Sequence, residues 1–260
     1  MNPVSSFSSS AERWRHNVQA LSSLIHAHAG RAGIAMGGGP SLPEQVARAP
    51  EGALLISANE HGCFLRRCDF IMACDDLSNK PLKAPDGRTV KIRDLGTPII
   101  SSRRSIADVY YSTAPLNNSG ICAAWALWVM GCAPILLAGM DCFQGGTYFH
   151  NHKAISTGNN LQLIHHLNKW RRLKAKIPRA PIRSLGGPTA EVFPAYDPAE
   201  AFPPPADRVE IESELKRNTV KVIHRWPIGP RPFEPGQIVE VSDAELAIGL
   251  RKRYCERIPV

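Results

Sequence analysis

The sequence has no Cys-x-x-Cys pair, no internal repeat, no leader-like pattern in its opening stretch and no lysine in its glycine-rich loop, and each absence argues against a class of function. Without a Cys-x-x-Cys pair neither a zinc ribbon nor a redox motif is indicated. The seven cysteines are odd in number and mostly sit in or beside apolar runs (Cys63, Cys68, Cys74, Cys122, Cys132, Cys142), so they read as reduced, buried thiols. The opening stretch, MNPVSSFSSSAERWRHN, is Ser-rich and lacks the cationic start and apolar core of a leader, which makes a cytoplasmic location the expectation. The longest uncharged run, GICAAWALWVMGCAPILLAGM, matches a bilayer in length, but GCAP divides it into a helix and a strand, so no membrane span is expected. Acidic residues are in the minority, with 23 Asp and Glu against 31 Lys and Arg. The net charge of +8 suits either an anionic partner (a nucleotide, a nucleic acid, an acidic glycan) or a solvated basic surface.

What is present is enough apolar residue, 43% of 260, to bury a full core. Residues 11–29 place Trp14, Val18, Leu21 and Ile25 at helical spacing, between Ser10 as a cap and Gly30 as a stop, and predict an amphipathic helix. Short apolar runs then read as buried strands: GIAM (33–36), ALLIS (53–57), DFIMA (69–73), TPIIS (97–101) and PILLAG (134–139). Helical stretches at 119–131 and 159–176 alternate with them. The pattern predicts an α/β fold: a Rossmann-like, mostly parallel sheet with helices on both faces, plus a small C-terminal β-rich module. The expected divisions are a nucleotide-binding transferase domain over 1–186, a proline-rich linker or surface strap over 187–218, and the C-terminal module over 219–260. That module carries a Pro-Gly turn and a short helix from Ser242, boxed by Glu245.

Ligands of open parallel sheets bind at the carboxyl ends of the strands, so the residues after each apolar run are the site candidates. GGGPSL follows the first: its glycines let backbone amides approach an anion, Pro40 can open a helix and Ser41 offers a hydroxyl. It is neither a Walker loop nor a GxGxxG loop, and taken alone it reads as a structural turn rather than a ligand loop. SANEHG follows the second, bringing Ser57, Asn59 and Glu60 to the sheet edge. Asn59 can read a base or ribose, or can cap the next element. After the third, Asp75 and Asp76 can hold a divalent metal or a substrate hydroxyl, or Asp76 can cap a turn. Asn118, Ser119 and Gly120 open an apolar helix, where free amides favour an anion. Asp141 ends the strand after that helix. Beyond it, His150 and His152 are candidates for a metal pair or an acid/base, whereas His165 and His166 read as surface or packing residues.

GGGPSL, the asparagine after the second strand, the NSG helix start and ILLAGMDCFQGGTYFH together resemble the bacterial sialyltransferases that use CMP-sialic acid. They are also similar to a related superfamily that includes motility-associated glycosyltransferases and the archaeal hydroxymethylpterin pyrophosphokinase. The resemblance covers residues 30–185. It implies that Gly37, Gly39, Pro40 and Ser41 border the nucleotide phosphates and ribose, that Asn59 contacts the donor, and that Ser119 and Gly120 hold the phosphate or sugar carboxylate. Asp141 would bind ribose or base, and His150 or His152 would be the general base. Gly38 stands where the sialyltransferase loop usually carries asparagine, and Tyr148 is the one visible counterpart of that family's paired lid tyrosines. In the pterin-kinase branch, Asp75 or Asp76 would bind magnesium. The tail from 219 onward, through FEPGQIVEVSDAELA, resembles C-terminal modules of proteins encoded by tailed phages and prophages.

The implied function is a transferase moving a sialic-acid-like sugar from a nucleotide donor, with no cofactor required, to a glycan or small-molecule acceptor. The alternatives are a magnesium-dependent pyrophosphokinase acting on a pterin-like alcohol and a non-catalytic phage-associated protein that retains the fold.

Overall fold

The computed structural model describes residues 18–75, 77, 81–103, 106–111, 118–142, 147–149, 160–215, 219–227, 233–241 and 248–257. Its strands, in chain order, are β1 (Gln19–Ala20), β2 (Gly33–Met36), β3 (Leu54–Ala58), β4 (Phe70–Met72), β5 (Leu82–Lys83), β6 (Thr89–Val90), β7 (Ile99–Ser101), β8 (Val109–Tyr110), β9 (Ile135–Ala138), β10 (Ile182–Ser184), β11 (Thr219–Val222), β12 (Ile238–Glu240) and β13 (Cys255–Arg257). The α-helices are α1 (Leu42–Ala47), α2 (Ser119–Val129), α3 (Asn160–Lys176) and α4 (Arg208–Leu215).

Eight strands form one parallel sheet in the order β1-β8-β7-β4-β3-β2-β9-β10. The side-chain period of two decides what each face meets. On one face Ala35, Leu54, Ile56, Met72, Ile135 and Leu137 pack with α2 and with Leu167, Trp170 and Leu173 of α3. On the other, Ile34, Met36, Leu55, Leu136 and Ala138 pack with Leu42 and Val46 of α1, and Ile71 and Ile99 pack over Leu82 and Ile92 beside the β5–β6 hairpin. Because both faces are covered, the central strands are mostly apolar, which is why they are legible as near-continuous apolar runs. All eleven residues of α2 are buried, so this helix has no polar stripe. Among the described residues, no helix is long and apolar enough to cross a membrane.

The helix expected over 11–29 is corrected by the structure from residue 18 onward; residues 11–17 lie outside the described residues. Gln19 and Ala20 extend to pair with Val109 and Tyr110, and a 3-10 turn over Leu21–Leu24 follows. Leu21 and Ile25 are buried but Val18 is exposed, so the apolar spacing marked two core contacts but not the element. Tertiary hydrogen bonds override the helix: the backbone amides of His26, His28 and Gly30 donate to Val129, Met130 and Gly131, and the His26 ring meets the Ala206 carbonyl at 2.8 Å.

The proline-rich stretch lies against the main core, into which it sends Val192, Phe193, Ile211 and Leu215. Beyond it, β12-β11-β13 form a separate antiparallel sheet around Val222, Trp226, Val241 and Cys255. The expected Pro-Gly turn is there, with Gly236 at φ 89° as the third residue of a type II turn requires. Ser242 and Glu245 lie outside the described residues, and 248–251 are helical.

Candidate functional site

From β2 the chain moves outward through β3, β4, β7 and β8, and then returns through α2 to place β9 on the opposite side of β2. The crevice beyond the carboxyl ends of β2 and β9 is therefore the switch point at which an open parallel sheet admits a ligand. A cavity of about 310 Å³ occupies it, lined by Gly37–Gly39 after β2, Asn59 and His61 after β3, Cys74 and Asp75 after β4, Asn118–Gly120 at the start of α2, and Met140–Cys142 after β9. Tyr148, His166 and Trp170 also line it.

The two loops at the switch point run side by side. The amides of Gly37 and Gly39 donate to the carbonyls of Ala138 and Gly139 at 2.7 and 2.9 Å, and the Gln45 side chain of α1 accepts the Gly139 amide at 2.8 Å. Each glycine is required by what presses on it. A Cβ on Gly37 would lie 2.3 Å from the Gly139 carbonyl oxygen, one on Gly38 2.7 Å from both the His61 and Tyr148 rings, and one on Gly39 2.0 Å from an Asp141 carboxylate oxygen. None of the three has a positive φ, so close approach and not backbone freedom selects glycine here.

Asp141 is buried and clamps the loop: its oxygens accept the Ser41 amide at 3.0 Å and the Ser41 hydroxyl at 2.5 Å. Ser41 thus turns toward Asp141, and neither it nor Pro40 lines the cavity. The helix opened by this loop starts at Leu42, with Pro43 in its first turn, so Pro43 and not Pro40 is the helix-opening proline.

A second knot joins the ends of β3 and β4 to α2. Asn118 caps the helix, its side chain accepting the Ile121 amide at 3.1 Å. The Ser119 hydroxyl donates to Asn59 Oδ1 at 3.0 Å and accepts the Cys74 amide at 3.2 Å. Asn59 sits at φ 56°, a conformation asparagine tolerates better than most residues, and its carbonyl accepts the Ser57 hydroxyl. With Oδ1 occupied by Ser119, the Asn59 amide NH₂ is the group left for a ligand. The Ser119 and Gly120 amides belong to the first turn of α2, where a helix has no acceptor of its own, and the dipole there favours negative charge.

On the opposite wall the His61 and Tyr148 rings stack at 4.4 Å, 21° apart. Burial, then the nearby Glu60 carboxylate, raises the Tyr148 pKa. Glu60 is itself buried, and its Oε2 has no hydrogen-bond partner. His166, read from sequence as a surface or packing residue, faces the cavity, while His165 is exposed. Burial, reinforced by Lys169 and His165, lowers His166 to about 4, so its imidazole is neutral near pH 7. His61, His166 and Trp170 are site residues that strand-end reasoning missed. The signal for the last two was their spacing of four on one helix, which puts them on one face.

The structure therefore brings together Gly37, Gly38, Gly39, Asn59, Ser119, Gly120 and Asp141, with Asp75 at the same cavity. His150, His152 and Asp76 lie outside the described residues. No arginine or lysine is among the described lining residues, and Asp75 and Asp141 are their only carboxylates.

Compared with protein-family models, with curated proteins and with solved structures, the chain matches none.

Proposed function

We propose that this chain is a nucleotide-dependent transferase that moves a sugar from a nucleoside-monophosphate donor, of the CMP-sialic-acid type, to an acceptor hydroxyl. The observation that carries the reading is the cavity at the β2/β9 switch point, closed by the glycine loop on one side and met by the first turn of α2 on the other. The absence of a fixed cation from the described lining favours a leaving group with one phosphate, which helix amides can hold, over a di- or triphosphate. In this reading the donor's phosphate faces the Ser119 and Gly120 amides, and the Asn59 amide and the His61–Tyr148 stack flank the rest. His150 or His152 takes the proton of the acceptor hydroxyl. The acceptor oxygen bonds to the anomeric carbon as the bond from that carbon to the phosphate oxygen breaks, and the nucleoside monophosphate leaves toward α2.

The pyrophosphokinase reading needs magnesium. Both oxygens of Asp141 are held by Ser41, which leaves Asp75 as the lining carboxylate free to bind a cation, and no cluster of three possible metal ligands occurs among the described residues. Asp76, the other candidate ligand, lies outside the described residues.

A thermal-shift panel of CMP, UDP, GDP and ATP, each with and without magnesium, separates the readings. At a hundredfold excess over its dissociation constant, CMP alone is expected to add about 2.7 kcal/mol, or roughly 5–10 °C for a chain of this size. A response only to ATP with magnesium transfers the chain to the pyrophosphokinase reading, and no response to any nucleotide favours a non-catalytic protein. With CMP binding established, His150→Ala and His152→Ala identify the base: the variant that keeps the shift and loses turnover has lost it.

A further inference from the structure

The net charge of +8 is not spread along the chain. Residues 142–190 hold eight Lys and Arg and no Asp or Glu; the remaining 23 Lys and Arg match all 23 Asp and Glu, so the whole excess resides in this stretch. Five of the eight lie on α3, the helix that also supplies His166 and Trp170 to the cavity. The helix dipole favours Lys174 and Lys176 in the last turn, but its effect fades within that turn and does not account for Lys169 or Arg172 further back. Four of the eight are engaged within the fold: Arg183 pairs with Glu200, Lys176 with Glu214 at 2.9 Å, Lys174 donates to the Val192 carbonyl at 2.7 Å, and Arg171 reaches Glu191 at 3.9 Å. Lys153 lies outside the described residues. Lys169, Arg172 and Arg179 form no ion pair among the described residues, and Arg172 and Arg179 are exposed.

His165, Lys169 and Arg172 follow one another at spacings of four and three, so they share one face of α3, and Lys176 continues it. At about 1.5 Å per residue, the row from His165 to Lys176 is about 17 Å long. It begins at the cavity, since His165 adjoins the lining residue His166 and the Lys169 charge acts on the His166 imidazole. The exposed large apolar side chain of α3 is Ile164, and no exposed Phe, Tyr or Trp stands between the charges. The row therefore lacks the stacking platforms by which proteins hold single-stranded nucleic acid; spaced point charges suit carboxylates repeated along a sugar chain. From this arrangement we infer that the His165–Lys169–Arg172 face of α3 is a docking surface for an acidic, carboxylate-bearing glycan whose end enters the cavity beside His166. The role of that glycan as acceptor rests on the transfer reading above: its terminal hydroxyl lies in the cavity, and the carboxylates of the preceding sugars lie along the row.

The test is fluorescence anisotropy of a labelled galacturonic-acid oligomer with the full-length chain and no nucleotide, beside a neutral glucose oligomer of the same length and a single-stranded DNA of matched charge. The acidic oligomer should bind and the neutral one should not, and binding should weaken as salt screens the exposed charges. Lys169→Glu combined with Arg172→Glu should weaken it about tenfold or more. Arg251→Glu combined with Lys252→Glu, the same charge change at exposed positions of the C-terminal module, should leave it nearly unchanged. No binding of the acidic oligomer overturns the inference, as do equal losses in the two double variants, which would reduce the effect to net charge. Tighter binding of the DNA, lost with Lys169 and Arg172, would make the face a nucleic-acid surface and overturns it as well. Should the Lys169 and Arg172 double variant not fold, Arg172→Gln, at an exposed position, is measured in its place. Because the assay contains no nucleotide, its failure leaves the transfer reading standing, whereas a chain that binds the oligomer but gives no CMP shift keeps the docking surface and loses the transfer reading.

Discussion

Replacing Gly39 with alanine tests whether close approach or backbone freedom selects the loop glycines. At a glycine with ordinary φ and open space, alanine stabilises by about 0.4–1 kcal/mol through the unfolded chain. Gly39 has no positive φ, so that gain is the expectation if packing is ignored. The structure gives the opposite sign, because the new Cβ would lie 2.0, 2.5 and 2.7 Å from Oδ2, Cγ and Cβ of Asp141. To make room, Asp141 must withdraw from Ser41, giving up two hydrogen bonds to a carboxylate. Each is worth about 1.5–3 kcal/mol, and the site's partial accommodation leaves a net loss near ~3 kcal/mol, in the range of overpacked cores. For a chain of this size that lowers Tm by roughly 6–12 °C. The assay is urea unfolding of wild type, Gly39→Ala, Asp141→Gly and the double variant; Asp141→Gly removes all three clashing atoms. If the reasoning holds, adding Gly39→Ala to Asp141→Gly costs nothing further, giving a coupling of at least ~2 kcal/mol. Additive losses, or a Gly39→Ala variant as stable as wild type, would refute it.

Two further outcomes follow from the second knot and from the far wall. Ser119→Ala removes the acceptor of the Cys74 amide and the donor to Asn59, and should cost about 1–3 kcal/mol in urea unfolding because a buried N–H is left unpaired; a loss below ~0.5 kcal/mol would show that water replaces the hydroxyl. His166 has a folded pKa of about 4 against 6.5 for the free side chain, so between these values the unfolded chain binds the extra proton. The stability contributed by the neutral imidazole is complete above pH 6.5 and is lost as pH falls toward 4, so Tm of the His166→Gln variant should fall less steeply over that window than Tm of wild type. Parallel curves for the two proteins would remove His166 from the buried wall.

Much of the architecture lies in local pattern. Strands covered on both faces are mostly apolar, so GIAM, ALLIS, DFIMA, TPIIS and PILLAG each overlap an observed strand of the sheet, and the uncharged run after Asn118 forms the buried helix α2. Short strands whose partners are distant left weaker traces. Gln19–Ala20 is a strand only because Val109 and Tyr110 lie beside it, and the same residues read along the chain carry a helical spacing. The candidate site divides the same way. Gly37–Gly39, Asn59, Ser119 and Asp141 are legible because strand ends and helix starts are local features. That Asp141 grips Ser41 and that Ser119 bridges Asn59 and Cys74 are matters of residues 45 to 100 positions apart, which only the sheet order brings within reach, as it does His166 and Trp170 at the wall. Hydrophobic periodicity reports which face of an element is buried; it carries no record of which distant element will cover it.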